Sequence, residues 1–217
     1  MTAYNPVRYC LKVKSAFVLL RPLFALLIIF ALCSPAKAVE TIPPSKIAEL
    51  KAVYFFNALK FTRWPDQHSE ANKKLRIVII GSDDTADVLV KRLPNKTIQG
   101  QAIEIIPIAI DALSQPESKQ LISSAQAAYF AKNSKRAYPA ILESIQQPTL
   151  TSSCIEGFAL KGGMIEISEN ANKTKLIFNI NATSVKDSNL KIISQLMLLA
   201  NIIDRQSSID NEAIIAT

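Results

Sequence analysis

The sequence predicts an α/β fold: a three-layer sandwich with a mostly parallel central sheet, completed by a C-terminal antiparallel hairpin and a closing helix. Three observations carry that prediction. Between residues 75 and 151, short apolar runs rich in β-branched residues alternate with helical stretches, the pattern of strands covered on both faces. Two further such runs, near residues 164 and 176, are separated by a short polar stretch, which favours a hairpin. Residues 190 to 203 then place apolar side chains at helical spacing.

Pro43-Pro44-Ser45 is a helix-start signal. Behind it Ile47, Leu50, Tyr54, Ala58 and Phe61 recur at spacings of three and four, and Val53 and Phe56 widen that face. The helix ends before Trp64-Pro65, because the residue preceding proline avoids helical angles. Leu75 to Ile80 reads as a buried strand closed by Gly81, and Ser82-Asp83-Asp84 caps a helix running to about Leu93. Ile103 to Ile106, Ala127 to Ala131 and Leu150-Thr151 supply three more strands, with a helix from about Lys135 to Ile145 between the last two. Repeated strand-helix-strand order implies right-handed parallel crossovers. Met164 to Ile167 and Leu176 to Ile180 form the hairpin across Glu169 to Lys173. The closing helix places Leu190, Ile193, Met197, Ala200 and Ile203 on one face.

Residues 1–38 read as a signal peptide. A basic leader (Arg8, Lys12, Lys14, Arg21) precedes the apolar run Leu23 to Leu32, and Ala36-Lys37-Ala38 supplies a small-x-small cleavage site. The ten-residue run is short of the roughly 20 residues that cross a bilayer, and the bulky Leu32 before Cys33 argues against a lipoprotein. The mature chain then begins at Val39, outside the cytoplasm. Residues 39–203 form one α/β domain and residues 204–217 a flexible tail without periodicity.

Cleavage changes the composition argument. The leader holds five of the 25 basic residues and none of the 18 acidic ones, so the mature charge is 20 − 18 = +2. The chain's pI near 9.3 is therefore a leader effect and gives no reason to expect nucleic acid as a partner. Cys10 and Cys33 leave as well; Cys154 alone cannot form an internal disulfide.

The residues that could carry chemistry do not assemble into a constellation. Gly81-Ser82-Asp83-Asp84 follows a strand where dinucleotide folds hold phosphate, but one glycine beside two carboxylates fits a capped helix better. His68 is the only histidine. A zinc site would need Cys154 and carboxylates gathered around it, and a nucleophilic Cys154 would need His68 as its base. Ser152-Ser153 lack a Gly-x-Ser-x-Gly elbow. Gly162-Gly163 reads as a turn feeding the next strand or as a place of close approach by a partner. Trp64, with Phe61 and Pro65, reads as a core-edge cluster or, if exposed, a contact site. No catalytic, cofactor or metal residues are assigned.

Several of these segments resemble one family. Lys51-Ala52 through Phe61-Thr62-Arg63-Trp64-Pro65 is similar to the helix and F-x-x-W-P signature that opens the YfiR family of periplasmic proteins, also catalogued as a domain of unknown function. Leu75 to Ile106 resembles its next block. Leu150-Thr151, Gly157-Phe158-Ala159 and Gly162-Gly163-Met164-Ile165 are similar to its L-T-V, G-F-A and G-G-M-I stretch. Phe178 to Asn181 and Ser194-Gln195-Leu196 resemble its ending.

The resemblance implies a non-enzymatic regulator without a cofactor. Such a protein binds the periplasmic domain of an inner-membrane diguanylate cyclase or sensor kinase and holds it inactive, lowering cyclic-di-GMP and biofilm formation. An OmpA-like outer-membrane lipoprotein can sequester it, and a homodimer fits the same picture. Two departures from the family pattern stand out. Cys154 is single where redox-responsive members have paired cysteines, and Leu198 stands where a basic residue is common. Trp64, Phe158, Gly162, Gly163, Met164 and Leu198 are the candidate partner-binding residues, within an expected exposed apolar patch. A small-molecule carrier is the alternative, with a pocket near Gly81 and Thr151. A hydrolase using Cys154 and His68 is a third.

Overall fold

The structure, a computed structural model, describes residues 42–65, 74–146 and 148–203. The expected leader with Cys10 and Cys33, His68, and the tail from Asp204 lie outside the described residues. No helix among the described residues is long and apolar enough to cross a membrane.

Two prolines start the first helix, α1 (Pro44–Phe61), where a missing N–H costs nothing. It runs directly into a short strand, β1 (Thr62–Arg63). The strands β2 (Leu75–Ile80), β4 (Gln101–Ile108), β5 (Ala127–Phe130), β6 (Leu150–Ser153) and β7 (Ile165–Glu169) form the parallel part of the main sheet. Their spatial order is β4-β2-β5-β6-β7, with β3 (Thr97–Ile98) antiparallel at the β4 edge. On the other side β8 (Leu176–Asn181) pairs antiparallel with β7, and β10 (Asn201–Ile203) pairs parallel with β8 as the last strand. The expected α/β class, the mostly parallel sheet and the hairpin are all present.

Alternate residues of β2 serve two different cores. Leu75, Ile77 and Ile79 join Phe55 and Leu59 of α1 and Leu89 of α2 (Asp84–Arg92) in one. Val78 and Ile80 join Ile122 of α3 (Pro116–Ser123) and Tyr138 of α4 (Tyr138–Ser144) in the other. Helices on both faces explain why β2 is apolar apart from Arg76 instead of alternating. No expected helix corresponds to α3, a two-turn helix that buries little beyond Ser118 and Ile122.

The closing helix is corrected. Asn181 caps a short helix, α5 (Ala182–Asp187), by accepting the Ser184 N–H. Asn189 then turns the chain at φ 56°. Lys191–Ile192 form β9, which pairs antiparallel with β1, and only Ser194–Met197 are helical, as α6. Strand pairing to β1 and β8 takes backbone groups that a continuous helix would have used internally. Of the expected apolar stripe, Leu190 is buried, while Ile193, Met197, Ala200 and Ile203 are half-buried.

The buried arc of α1 is also rotated from the expected one. Ala48, Lys51, Ala52, Phe55, Ala58 and Leu59 face inward with Ile47, whereas Leu50, Tyr54 and Phe61 are half-buried and Val53 is exposed. Lys51 sits inside, 4% exposed, because its ammonium donates to Glu169 Oε1 of β7 at 2.6 Å. That hydrogen bond is the main reason the Glu169 pKa lies below its ordinary value, against partial desolvation that would raise it. A carboxylate with a depressed folded-state pKa stabilises the fold above its unfolded pKa, and this contribution is lost as pH falls through the folded value. Lys51→Met should cost about 3 kcal/mol, the low end for breaking a buried pair because Glu169 keeps some water. It should lower Tm by roughly 6–12 °C. Thermal melts from pH 7 downward should show that the variant has lost the Glu169 part of the acid destabilisation.

Candidate functional site

In an open parallel sheet the expected place for a ligand is the switch point at the carboxyl ends of the strands. Here that point lies between β2 and β5, and the two following loops are tied to each other. Asn133 Oδ1 accepts the Ser82 N–H at 2.8 Å, and its Nδ2 donates to Ser82 Oγ at 3.0 Å. Asp83 caps α2 by accepting the Ala86 N–H at 2.7 Å, and its other oxygen accepts the Lys132 N–H at 2.8 Å. Gly81 adopts φ +82°, and a Cβ there would sit 2.1 Å from Asn133 Oδ1. The Gly81–Asp84 segment is thus a capped helix start. The pocket expected near Gly81 and Thr151 is corrected: Asn133 fills the Gly81 end and Thr151 is buried.

Beneath this loop lies a buried polar cluster. The Tyr129 hydroxyl donates to Cys154 Sγ at 3.1 Å and approaches both Asp83 carboxylate oxygens at 3.4 Å. Burial, then the neighbouring Cys154 and Asp83, push the Tyr129 pKa well up. Burial also raises the Cys154 pKa, outweighing the Tyr129 hydrogen bond and the Lys51 charge that lower it. A buried thiol with a raised pKa is a poor source of thiolate. Ser153, beside it, donates to the Phe130 carbonyl and accepts the Ile155 N–H. Among the described residues no group of three or more His, Cys, Asp or Glu side chains is placed to hold a metal ion.

The six candidate contact residues separate into three groups. Trp64 is half-buried at the edge of the first core, its indole N–H donating to the Gln126 carbonyl at 2.9 Å. Phe158, Gly162, Gly163 and Met164 belong to one structural turn. Phe158 is fully buried, 5.5 Å from the Phe130 ring and 5.2 Å from Tyr138, and Met164 is buried with its N–H on Thr151 Oγ1. The expectation of an exposed patch including Phe158 and Met164 is therefore corrected, because packing in the cores takes up both side chains. Gly163 does permit a close approach, but by the protein's own Phe158, whose ring would lie 2.1 Å from a Cβ. Glu166 and Asn181 hold the turn from below: Ala159 N–H donates to Glu166 Oε2 and Asn181 Nδ2 donates to the Ala159 carbonyl.

Leu198 alone is open, 84% exposed, and it has company the sequence reading missed. Leu199 is 78% exposed and Ile202 48%. The three lie on the passage from α6 to β10, the terminal strand of the sheet among the described residues. A second feature with no sequence signal is a groove of about 950 Å³ between α1 and α2, which includes Leu50, Val53, Phe56 and Val88.

Two expectations follow. Gly163→Ala should cost about 1–3 kcal/mol by overpacking the Phe158 ring, whereas Gly157→Ala, with nothing within 4 Å but φ +75°, should cost only about 1–2 kcal/mol of backbone strain. Denaturant melts of the two variants compare them directly. Cys154 should react with a neutral thiol reagent at least tenfold more slowly in the native protein than in denaturant at the same pH, which a colorimetric assay reads.

No curated protein matches the sequence. Among solved structures, the chain is similar to a conserved domain protein from Vibrio cholerae O1 biovar El Tor strain N16961, with a TM-score of 0.51 at 10% identity. The likeness covers 75% of this chain and 61% of that one, and it is a likeness of fold. Residues 48–201, spanning both cores, the Trp64 anchor and the Phe158–Met164 turn, match the profile of DUF4154, and the chain belongs to this YfiR/HmsC-like family.

Proposed function

We propose that this protein is a periplasmic, non-enzymatic regulator that binds the sensor domain of an inner-membrane signalling protein and holds it inactive. The target in this reading is a diguanylate cyclase, so that the protein lowers cyclic-di-GMP and biofilm formation. It reaches the periplasm through cleavage after Ala38, and an OmpA-like lipoprotein is a second partner that would draw it away. Membership in a family of periplasmic regulators supports the reading.

The observation that carries it is where apolar surface is left over. The loops at the sheet's switch point are closed on each other and Cys154 is buried, while Leu198, Leu199 and Ile202 face outward at the sheet's end. Exposed leucines cost little to the free protein and contribute only when a partner covers them. Repression requires nothing more than tighter binding to the inactive receptor than to the active one.

The test is capture of membrane proteins by the mature chain, Val39 to Thr217, from solubilised membranes of its own organism. Recovery of an inner-membrane protein with a periplasmic sensor and a cytoplasmic cyclase domain is expected. The double change Leu198→Glu and Leu199→Glu should reduce that capture at least tenfold and raise cellular cyclic-di-GMP, with Tm nearly unchanged because both side chains are solvent-facing. Undiminished capture by the variant removes this patch from the interface, and recovery of no membrane signalling protein removes the regulator reading.

A further inference from the structure

The last strand of the sheet carries three features together. β10 has β8 on one side and, among the described residues, no strand on the other, and Leu198, Leu199 and Ile202 are exposed along it and its approach. Helix α5 packs against both β9 and β10, and a cleft of about 370 Å³ beside α6 is lined by Val185, Lys186, Leu190, Lys191 and Met197. Lys186 and Lys191 are exposed, and no described carboxylate, Asp187 included, pairs with either. An open strand edge, apolar side chains and two unpaired cations thus meet in one region.

The chain itself supplies the complement. Residues 204–217 continue directly from β10. Residues 204–212 are mainly polar and lead to the run Ala213-Ile214-Ile215-Ala216, whose isoleucines favour an extended strand. Asp204, Asp210 and Glu212 against Arg205 give the connecting nine residues a side-chain charge of 1 − 3 = −2, opposite in sign to the two lysines. Nine residues reach at most roughly 30 Å, and the six from Leu198 to Ile203 at most roughly 20 Å, so the run can return along the whole edge. Tethering holds it there at a local concentration on the order of millimolar. A second copy joined through this patch about a two-fold axis would instead set Lys186 and Lys191 against a like-charged face.

We propose that residues 213–216 fold back on this chain's own edge at residues 198–203, with Asp210 and Glu212 toward Lys186 and Lys191, as a cover that the signalling partner must displace. The displacement rests on the reading of the Leu198 patch as the partner's docking surface; the cover itself does not.

Hydrogen exchange of the mature chain, read by mass spectrometry on peptides spanning residues 198–203, tests the cover on the protein alone. Ile214→Asp with Ile215→Asp should speed exchange there at least tenfold and leave β5 unchanged. Lys186→Glu with Lys191→Glu should do the same, and adding Asp210→Lys and Glu212→Lys should restore the slow exchange. Equal exchange in wild type and the isoleucine variant overturns the proposal. Protection that grows with protein concentration also overturns it and assigns the patch to a second copy. In the membrane capture, the isoleucine variant should retain at least threefold more of the signalling protein than wild type. Unchanged capture beside slow wild-type exchange overturns the displacement, whereas recovery of no signalling protein removes the regulator reading and leaves the exchange result to decide the cover.

Discussion

Ile77, Val78, Ile79 and Ile80 of β2, and Ala127 to Phe130 of β5, are shut from water on both faces of the sheet. Each β2 side chain removed from water contributes about 1.5–3 kcal/mol, so four together reach on the order of 6–12 kcal/mol gross, the scale of a domain's whole net stability. That burial is possible only if helices lie above and below, and it fixes α1 and α2 on one side and α3 and α4 on the other. Because successive side chains point to opposite faces, a one-residue slip of β2 against β5 would exchange the two cores. Register is thus set by packing, and the loops at the strand ends inherit their positions from it.

Those positions decide where function can sit. With β2 and β5 in register, the Gly81 turn meets Asn133, and Asp83 reaches both the Ala86 and Lys132 amides. Each of these bonds satisfies a group that a ligand at the switch point would otherwise recruit. The loops that hold substrate in other doubly wound sheets here hold one another. The apolar surface left open is peripheral: the groove along α1 and the leucines beside β10.

The strands were legible in the sequence because two-sided burial leaves a strong signal. Leu75 to Ile80 is apolar apart from Arg76 and ends at Gly81, and the strand has those bounds. The hairpin was legible for the same reason, through β-rich runs and the Asn170-centred turn. The face of α1 was not, since a helix touching both a sheet and a second helix has a wide apolar arc. What sets its rotation is Lys51, a residue whose type argues for exposure, and its partner Glu169 is 118 positions away. The last segment misled because short strands and broken helices share apolar spacing with a continuous helix; Asn189 at positive φ and the pairing to β1 are tertiary choices. Among the candidate contact residues, aromatic and glycine identity could not distinguish a partner's approach from Phe158 closing on Gly163. Leu198 is the one of the six left open, and what singled it out was a leucine at a position where the resemblance implies a basic residue.

The two peripheral features are joined through one element. The inward face of α1 carries Lys51, its outward stripe lines the groove, and its last residue, Phe61, accepts the Ile193 N–H at 2.9 Å. Thr62 is locked beneath by a hydrogen bond from its hydroxyl to the Ala58 carbonyl, and β1 then pairs with β9 just before α6 leads to Leu198. A continuous run of backbone pairing therefore connects the groove wall to the exposed leucines. The Lys51–Glu169 pair holds α1 in place, since sliding the helix would separate a buried ammonium from its carboxylate. The same ion pair that fixes the helix on the core thus also restrains the strand that α1 runs into.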